Sequence, residues 1–395
     1  MDSFDIIIIG GGAAGMFAAA VLAEEASELD VLVLEKAAKP LGKVRISGGG
    51  RCNLTHACSD LREFLKSYPR GQRELIGPFH RFGPKETVEW FEAHGVPLVT
   101  LEDGCLFPQS DTSEDVIRAL LSANPKIKTH SEVLRVTPSN NGFTIELKDG
   151  TLFHANKVLV ATGGGEFIEG LGQPIEPCVP SLFTFNTPDK TLTSLSGIVV
   201  ENVTLSAAGL KASGALLITH QGISGPAVLR LSSFGARKWA EANYQFEARI
   251  NWLNNQNEEQ VFEKLLAHRE KSPQTKVTTW SPVGLPQRLW KMLTARAGIE
   301  EQKWVECSHK NLRRLAAQTC DYLLPVSGRN RHHEEFVTCG GICLKEIDFK
   351  TMESKRTPGL YFAGEVLDID ALTGGFNLQA AWTTGCLAAR AMQQN

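Results

Sequence analysis

The sequence predicts an α/β fold, with a doubly wound parallel sheet, an inserted β region and a small helical subdomain. Short apolar runs, typical of strands buried on both faces of a parallel sheet, occur at residues 4–9, 157–161 and 359–364, and each ends at or leads into glycine. Between the last two runs, residues 190–252 have strand character and residues 257–318 have helical periodicity. The 395 residues suffice for two or three domains of roughly 150 residues.

The N-terminal elements form a βαβ unit. We predict a strand at 4–9, a helix at 13–27 and a second buried strand at 30–34, followed by helices at 84–94 and 112–121. An antiparallel meander follows, with strands at 132–137, 143–147, 152–155 and 157–161. Asp149-Gly150 marks its hairpin turn.

The second half of the chain is predicted to hold the inserted elements. The clearest strand is 244–252, and Ser224 is the expected N-cap of a helix that has Pro226 in its first turn. Helices are expected at 258–270, 284–297 and 309–318, the last capped by Ser308, and a final helix at 375–391.

A glycine motif stands between the first strand and the first helix. Gly10, Gly12 and Gly15 match G-x-G-x-x-G in the context of a βαβ unit, and Glu35 ends the second strand. The helix N-terminus can bind a pyrophosphate, and a carboxylate at the end of this strand accepts hydrogen bonds from ribose hydroxyls. The motif therefore predicts a dinucleotide, NAD or FAD rather than NADP.

Two later segments favour FAD. Residues 158–164 and 360–365 are further buried strands that end in small residues, and Thr373-Gly374-Gly375 precedes the last helix. In FAD domains of the glutathione-reductase type, an acid in this last region binds the ribitol and the following helix directs its N-terminus at the flavin. Glu365 occupies the position of that acid.

Composition excludes several classes of protein. Apolar residues make up 42% and charged residues 22%, and no apolar run approaches the roughly 20 residues of a membrane span. The nine cysteines include no Cys-x-x-Cys pair, so we expect neither a disulfide framework nor a metal site. We expect a soluble, cytoplasmic protein with no membrane association and no obligate protein partner.

Charge is unevenly distributed in a chain of net charge −3. Residues 36–85 contain 11 Lys and Arg against three acids, and residues 256–331 are also basic. A basic segment in an acidic protein indicates an anionic ligand, although a solvated face with cofactor-phosphate contacts explains it equally well.

Longer motifs make the chain resemble a known family. They are GGGAAG at 10–15, ISGGGRCNLT at 46–55, and the segments 82–98, 219–232 and 351–385. The chain resembles the HI0933-like, or BaiN/RdsA, family of NAD(P)/FAD-dependent oxidoreductases. The resemblance implies non-covalent FAD in a domain of the glutathione-reductase type, an inserted β-barrel-like domain and a helical subdomain. It also implies either reduction of the uracil C5=C6 bond in 23S ribosomal RNA, which gives dihydrouridine, or a redox step on a bile-acid-like substrate.

Reduction of uracil requires a hydride at C6 and a proton at C5. Cys52 is the first candidate acid, with burial beside the cofactor as the alternative, and His220 is the second, with a structural role as the alternative. His332 and His333 are expected in a solvated basic loop. No second glycine fingerprint is present, so NAD(P)H is expected to bind transiently as reductant.

The expected RNA contacts come from the basic segment. Arg62, Lys66, Arg70 and Arg73 are candidates for phosphate contacts, and Tyr68 and Phe79 for base stacking, with core packing as the alternative for Phe79. Two other functions stay open: an ene-reductase or dehydrogenase of a small polycyclic or enone substrate, and a non-enzymatic FAD-binding redox sensor that uses Cys339 and Cys343.

The remaining expectations concern domains and cofactor contacts. The FAD domain is expected at 1–185 and 335–395, the inserted β-rich domain at 186–255 and 319–334, and the helical subdomain at 256–318. The expected cofactor-binding residues are Gly10, Gly12, Ala13, Ala14, Gly15, Glu35, Lys36, Gly42, Lys43, Ser47, Gly48, Gly49, Arg51, Cys52, Asn53, Thr162, Gly163, Gly164, Gly364, Glu365, Gly374, Gly375, Phe376 and Asn377.

Overall fold

The computed structural model describes residues 1–139, 141–165, 168–330 and 337–394. The chain divides into two compact units. Unit one comprises Met1–Val179 with Val337–Asn395, and unit two comprises Pro180–Phe336. The separation of 256–318 as a subdomain stays a prediction. His332 and His333 lie outside the described residues.

The strands are, in chain order, β1 (Asp2–Ile9), β2 (Val31–Leu34), β3 (Thr55–His56), β4 (Leu98–Thr100), β5 (Cys105–Pro108), β6 (Lys126–Lys128), β7 (Val133–Ser139), β8 (Gly142–Leu147), β9 (Leu152–Val160), β10 (Ile175–Ser181), β11 (Phe185–Asn186), β12 (Val199–Ala207), β13 (Leu210–Ile218), β14 (Gly222–Ser224), β15 (Gln245–Asn251), β16 (Tyr322–Arg329), β17 (Val337–Ile342), β18 (Ile347–Asp348), β19 (Glu353–Ser354) and β20 (Leu360–Phe362).

The α-helices are α1 (Ala13–Glu25), α2 (Gly42–Gly50), α3 (Leu61–Leu65), α4 (Ile76–Arg81), α5 (Pro84–Ala93), α6 (Ser113–Leu121), α7 (Lys190–Thr193), α8 (Pro226–Phe234), α9 (Ala236–Glu241), α10 (Glu258–Lys271), α11 (Gln287–Ala297), α12 (His309–Cys320) and α13 (Phe376–Met392).

A nine-stranded sheet organises unit one. Its main path runs β18-β19-β20-β9-β1-β2-β6, and the β7–β8 hairpin continues from β9. The strands from β20 to β6 are parallel, as predicted for a doubly wound domain. Because both faces of this part of the sheet are covered, Ile6, Ile7, Ile8 and Ile9 are all buried. The C-terminal ends of β1 and β9 lie side by side, and the candidate site is built there.

A closed six-stranded barrel organises unit two. The strand order is β11-β14-β13-β12-β15-β16, closed by pairing of β16 with β11. Buried residues of the barrel, such as Leu205 and Ile250, belong to the same hydrophobic cluster as Trp290 and Leu312 of the helices. The barrel and helices α10 to α12 therefore share one core.

Some local predictions are confirmed and others are wrong. Ser308 caps α12, since its hydroxyl accepts from the Asn311 N–H at 3.2 Å. Ser224 does not cap α8: it ends β14, and Gly225, with φ of 98°, is the N-cap without a side-chain hydrogen bond. The two strands predicted at 152–155 and 157–161 are one strand, β9.

The described residues form neither a membrane-spanning helix nor a cluster of metal ligands. Within the described ranges, no helix is long and apolar enough to span a bilayer. The same residues contain no group of three or more His, Cys, Asp or Glu side chains placed to bind a metal ion.

Candidate dinucleotide-binding site

The glycine turn after β1 needs glycine for close packing at two positions. Gly10 has φ of 107°, and a Cβ there would clash with the Ala161 carbonyl at the end of β9. A Cβ on Gly15 would clash with the Gly10 carbonyl, so the first turn of α1 lies directly against the end of β1. Gly12, the N-cap of α1, has no heavy atom within 4 Å of its ideal Cβ. The turn is therefore tightly packed on one side and open at Gly12, where a pyrophosphate can approach the backbone.

Glu35 closes the side of this turn. Its Oε2 accepts a hydrogen bond from the Gly11 N–H at 2.8 Å, and its Oε1 accepts from the Ala37 N–H at 2.7 Å. An ionised carboxylate has about four acceptor positions, so two remain for ribose hydroxyls. Glu35 thus both fixes the glycine turn and retains the acceptors that the sequence analysis assigned to it.

The glycines at 48–50 form a left-handed turn at the end of α2. Gly48, Gly49 and Gly50 have φ of 57°, 71° and 90°, and Ser47 is extended. A Cβ on Gly48 would lie 2.8 Å from the Asn53 nitrogen, whereas Gly49 and Gly50 face open space. The three glycines therefore form a turn with two open positions, and successive backbone N–H groups in such a turn can bind an anion.

Helix α13 holds the segment that follows this turn. The Trp382 indole N–H donates to the Leu54 carbonyl at 3.0 Å, and the Thr55 hydroxyl donates to the Gln379 Oε1 at 2.6 Å. With its amide oriented to satisfy both partners, Asn53 donates to the Thr55 carbonyl and accepts from the Gly375 N–H at 3.3 Å. The motif ISGGGRCNLT is thereby fixed to the N-terminus of the last helix.

A second group of predicted residues meets at the end of β9. The Lys43 ammonium donates to Glu365 Oε2 at 2.8 Å, and the Thr338 N–H donates to Glu365 Oε1 at 2.9 Å. The ideal Cβ of Gly163 would lie 3.8 Å from Glu365 Oε2. Lys43, Gly163 and Glu365 are far apart in the sequence but adjacent here, and Glu365 is already paired with a cation.

Two buried polar atoms beside the site have no hydrogen-bond partner among the described residues. They are Oγ1 of Thr162, two residues after the end of β9, and Nδ1 of His56, which lies near Gly374. Buried polar atoms are normally hydrogen-bonded, so their presence here fits a site that a polar ligand completes. Together with the open positions at Gly12, Gly49 and Gly50, they show that these residues fit a dinucleotide. We call this set of residues, with Gly10, Gly15 and Glu35, the glycine cradle.

Some predicted cofactor residues use their side chains elsewhere. The Phe376 ring is buried against Phe64, Tyr68 and His56, so only its backbone remains for a ligand. The Asn377 amide accepts from the Ala371 N–H at 2.9 Å and donates to the Ala371 carbonyl at 3.0 Å. It therefore holds the loop before α13.

Arg51 also has partners of its own. Its guanidinium lies 4.3 Å from the centre of the Phe107 ring and 3.5 Å from Asp111. The Arg51 side chain is thus shared between an aromatic ring and a carboxylate, and its contact with a cofactor stays a prediction.

Cys52, the first candidate acid, is fully buried. It is 0% exposed, and burial raises the pKa of its thiol to about 12, partly offset by a hydrogen bond with Ser47. A thiol with this pKa is protonated at neutral pH, but it belongs to the hydrophobic core of unit one. This placement favours the packing role that the sequence analysis left open.

His220 and the cysteine pair lie elsewhere. His220 is an exposed residue of unit two, directly after β13 and Thr219, and its catalytic role stays a prediction. Cys339 lies in β17 and Cys343 directly follows that strand, so four residues of extended chain separate their Cα atoms by roughly 13 Å. A disulfide needs Cα atoms within about 7 Å, so the two cysteines do not form one in this conformation, and the redox-sensor function stays a prediction.

The basic segment contains fewer free cations than the sequence suggests. The Arg70 guanidinium pairs through two hydrogen bonds with Asp370, which is 0% exposed. Lys66 pairs with Glu63 at 2.6 Å, whereas Arg62 and Arg73 are exposed. Arg70 is therefore a structural residue and not a phosphate contact.

The two aromatic residues proposed for base stacking are also buried. Tyr68 is 1% exposed, and its hydroxyl donates to the Phe376 carbonyl at 2.7 Å. Phe79 packs edge-on against Phe64 at 5.5 Å. The stacking role is wrong for Tyr68, and the alternative of core packing is confirmed for Phe79.

Sequence reasoning missed His56. Its ring is stacked on Phe376 at 4.7 Å between centres, and its Nδ1 has no partner beside the N-terminus of α13. No motif marks this residue apart from its position directly after ISGGGRCNLT.

The parallel sheet and the glycine cradle define a Rossmann-class dinucleotide-binding protein. The chain belongs to the HI0933-like family: the family described as "HI0933-like protein Rossmann domain" matches residues 4–391. The resemblance and the prediction of an FAD-dependent oxidoreductase are thereby confirmed.

Three curated relatives are similar over almost the whole chain. The ribosomal RNA dihydrouridine synthase of Escherichia coli is 30% identical and covers 99% of this chain and 98% of its own length. The enzyme of the same name from Haemophilus influenzae is 30% identical, with 96% of each chain covered. The 3-dehydro-bile acid delta(4,6)-reductase of Clostridium scindens is 29% identical and covers 97% of this chain and 98% of its own.

A solved structure has a similar fold. The 3-ketosteroid-delta4-(5alpha)-dehydrogenase of Rhodococcus jostii RHA1 aligns with a TM-score of 0.51 and 14% identity, over 100% of this chain and 97% of that one. At this identity, the match supports the fold alone.

Proposed function

We propose that the chain is an FAD-dependent reductase that converts a uridine of 23S ribosomal RNA to dihydrouridine. The observation that carries the proposal is the similarity at 30% identity, over nearly the full length, to two enzymes named for this reaction. The glycine cradle supports it, because the reaction needs a bound redox cofactor. The domain that holds FAD is proposed to be of the glutathione-reductase type.

The residues proposed to hold FAD lie around the cradle. The backbone of Gly10–Gly15 and the N-terminus of α1 bind the pyrophosphate, and Glu35 accepts from the adenosine ribose. Thr162, with its unpartnered hydroxyl, and the paired Lys43 and Glu365 border the remainder of the cofactor.

FAD, when bound in its reduced form, supplies a hydride. The chain must then place the uracil against the cofactor, exclude water and deliver one proton to C5. The N-terminus of α13, held in place by Asn53, presents the positive end of a 17-residue helix to this region. That dipole stabilises negative charge near the helix N-terminus.

The proton donor is a separate question. Cys52 lies in the core, whereas His56 has a ring nitrogen without a partner near the N-terminus of α13. We therefore propose His56 as a third candidate acid, in addition to Cys52 and His220. Single-turnover reduction of uridine by Cys52→Ala, His56→Gln and His220→Gln compares the three. Replacement of the residue that donates the proton should lower the rate of uridine reduction roughly 100-fold or more and leave the FAD content of the enzyme unchanged.

The experiment that tests the function is nucleoside analysis of ribosomal RNA. We expect 23S RNA from a deletion strain to lose dihydrouridine at one position and a plasmid with the wild-type gene to restore it. A matched plasmid carrying Gly12→Ala should restore less. A deletion strain with unchanged dihydrouridine content contradicts the proposal.

The rival function is reduction of a small polycyclic or enone substrate. The observation that favours it is the 29% identity to the bile acid reductase, which is close to the identity with the RNA enzymes. The salt dependence of substrate binding distinguishes the two functions. Binding of RNA should weaken steeply between roughly 50 and 200 mM salt, whereas binding of a neutral enone should change little.

NAD(P)H is the proposed reductant, bound transiently. The oxidised holoenzyme is mixed rapidly with NADH or with NADPH, and the flavin absorbance is followed at its usual maximum of roughly 450 nm. One of the two nucleotides should bleach this absorbance. Failure of both to reduce the protein refutes this part of the proposal and leaves the main reaction untouched.

A further inference from the structure

One stretch of unit two contains no carboxylate. Residues 202–240, between Glu201 and Glu241, include neither Asp nor Glu, although a stretch of this length would carry about four at the chain's average of 44 in 395. The same stretch contains four Lys and Arg residues. It is therefore a basic segment without internal neutralisation, outside the two basic segments described above.

Two of these cations hydrogen-bond to the hairpin formed by β12 and β13, and a third belongs to it. The Arg230 guanidinium donates to the Ser213 carbonyl at 3.4 Å, and the Lys238 ammonium donates to the Ala208 carbonyl at 3.3 Å. Lys211 lies on the same hairpin, and its ammonium donates to Asn255 Oδ1 at 2.9 Å. All three residues are exposed, and their hydrogen-bond acceptors are neutral oxygens, so these contacts leave their positive charges in place within the described part of the chain.

An exposed aromatic ring lies on the same helix as Arg230. Phe234, the last residue of α8, is 45% exposed. It follows Arg230 by four residues and therefore lies on the same face of the helix. We call Lys211, Arg230, Phe234 and Lys238 the hairpin–helix patch.

We propose that the hairpin–helix patch binds a single-stranded segment of the RNA substrate, with the cations on phosphates and Phe234 stacked on a base. The inference rests on the proposed function and names a contact surface for its substrate. Cationic grooves with an aromatic ring are the usual means of binding single strands. A single exposed ring among cations lacks the broad apolar face with which amphipathic helices enter lipid.

The test measures binding of a fluorescein-labelled single-stranded RNA to the full-length holoenzyme by anisotropy. In the double variant Lys211→Gln/Lys238→Gln, the slope of log Kd against log salt should decrease by about 1.4, because each lost phosphate contact lowers this slope by about 0.7. Phe234→Ala should weaken binding roughly tenfold, with the salt slope unchanged.

Matched controls come from the same unit. Lys264→Gln/Lys310→Gln removes two exposed lysines from α10 and α12, and Lys264 has a similar amide partner, Gln256, at 2.6 Å. Trp280→Ala removes another exposed ring, 58% exposed. The controls should bind RNA as the wild type does. Thermal melting of all variants confirms that they fold.

The outcomes separate the patch from the reaction. If the patch variants bind RNA as tightly as the controls do, the hairpin–helix patch does not bind RNA, even if the enzyme forms dihydrouridine. Patch variants that lose binding to phosphatidylglycerol vesicles but keep RNA binding also overturn it, in favour of a membrane. If the wild type neither binds RNA nor forms dihydrouridine, the proposed function itself fails.

Discussion

Replacement of Gly12 by alanine separates a ligand-binding glycine from a structural one. Gly12 has φ of −83° and ψ of −167°, a conformation that alanine adopts without strain. No heavy atom lies within 4 Å of the new Cβ. The methyl group therefore fits the protein itself but occupies the open position that the pyrophosphate is expected to approach.

The expected change in the free energy of unfolding is the sum of two opposing terms. Alanine is a poorer N-cap than glycine by up to about 1 kcal/mol, but it lowers the entropy of the unfolded chain by about 0.4–1 kcal/mol. The free energy of unfolding of the apoprotein should therefore change by no more than about 0.5 kcal/mol. Displacement of the phosphate loses at least one charge-assisted hydrogen bond, about 1.5–3 kcal/mol, so the Kd for FAD should rise roughly 10- to 100-fold.

The assay is titration of the apoprotein with FAD, followed by calorimetry or flavin fluorescence, with urea unfolding in parallel. Gly15→Ala is the contrasting control. Its Cβ would clash with the Gly10 carbonyl, so the apoprotein itself should lose about 3 kcal/mol or more. A Gly12→Ala protein that binds FAD as tightly as the wild type refutes the reasoning.

Three further predictions concern single side chains. Glu35→Gln should weaken FAD binding by roughly tenfold, because an amide has one acceptor oxygen where the Gly11 and Ala37 N–H groups use two; an unchanged Kd by calorimetry contradicts this. Arg70→Met should lower the free energy of unfolding by about 3–5 kcal/mol, because the buried Asp370 carboxylate loses its ion pair with the guanidinium, and Arg70→Met/Asp370→Leu should recover much of the loss in urea unfolding. For Cys52, burial raises the thiol pKa to about 12 in the folded state, above its ordinary value of 9.0. Its contribution to stability is therefore complete below pH 9 and is lost as the pH rises towards 12. Between pH 9 and 10, the wild type should lose about 1 kcal/mol more stability than Cys52→Ala, and equal losses in the two proteins would contradict the assignment.

Much of unit one was predictable because its signals are local. The strand at residues 4–9, the glycine turn and the helix after it lie within one βαβ unit, and Glu35 directly follows its second strand. Spacing along a short segment determines their geometry, so periodicity and glycine positions suffice.

The contacts that were missed join distant parts of the chain. Arg70 and Asp370 are 300 residues apart, and the Tyr68 hydroxyl reaches a carbonyl in α13, 308 residues away. Charge and aromatic content made these residues candidates for RNA contacts, but burial decides their role and depends on tertiary packing. The same applies to Cys52, whose environment became visible only in the folded chain.

Ser224 shows a different kind of failure. A serine before a glycine and a proline is a reasonable helix cap, but pairing of Ile223 with Phe185 and Ile218 extends the barrel up to Ser224. The strand therefore continues through the expected cap, and Gly225 takes the position instead. Barrel closure depends on strands that no local pattern specifies.

Cofactor release from purified protein tests the central claim most directly. The chain is purified after expression, its visible spectrum is recorded, and the nucleotide released by heat is identified by chromatography. We predict a yellow protein that releases FAD at a ratio of about one per chain, with a much lower ratio for Gly12→Ala. A colourless protein that folds, but takes up no FAD from excess cofactor, would contradict the account.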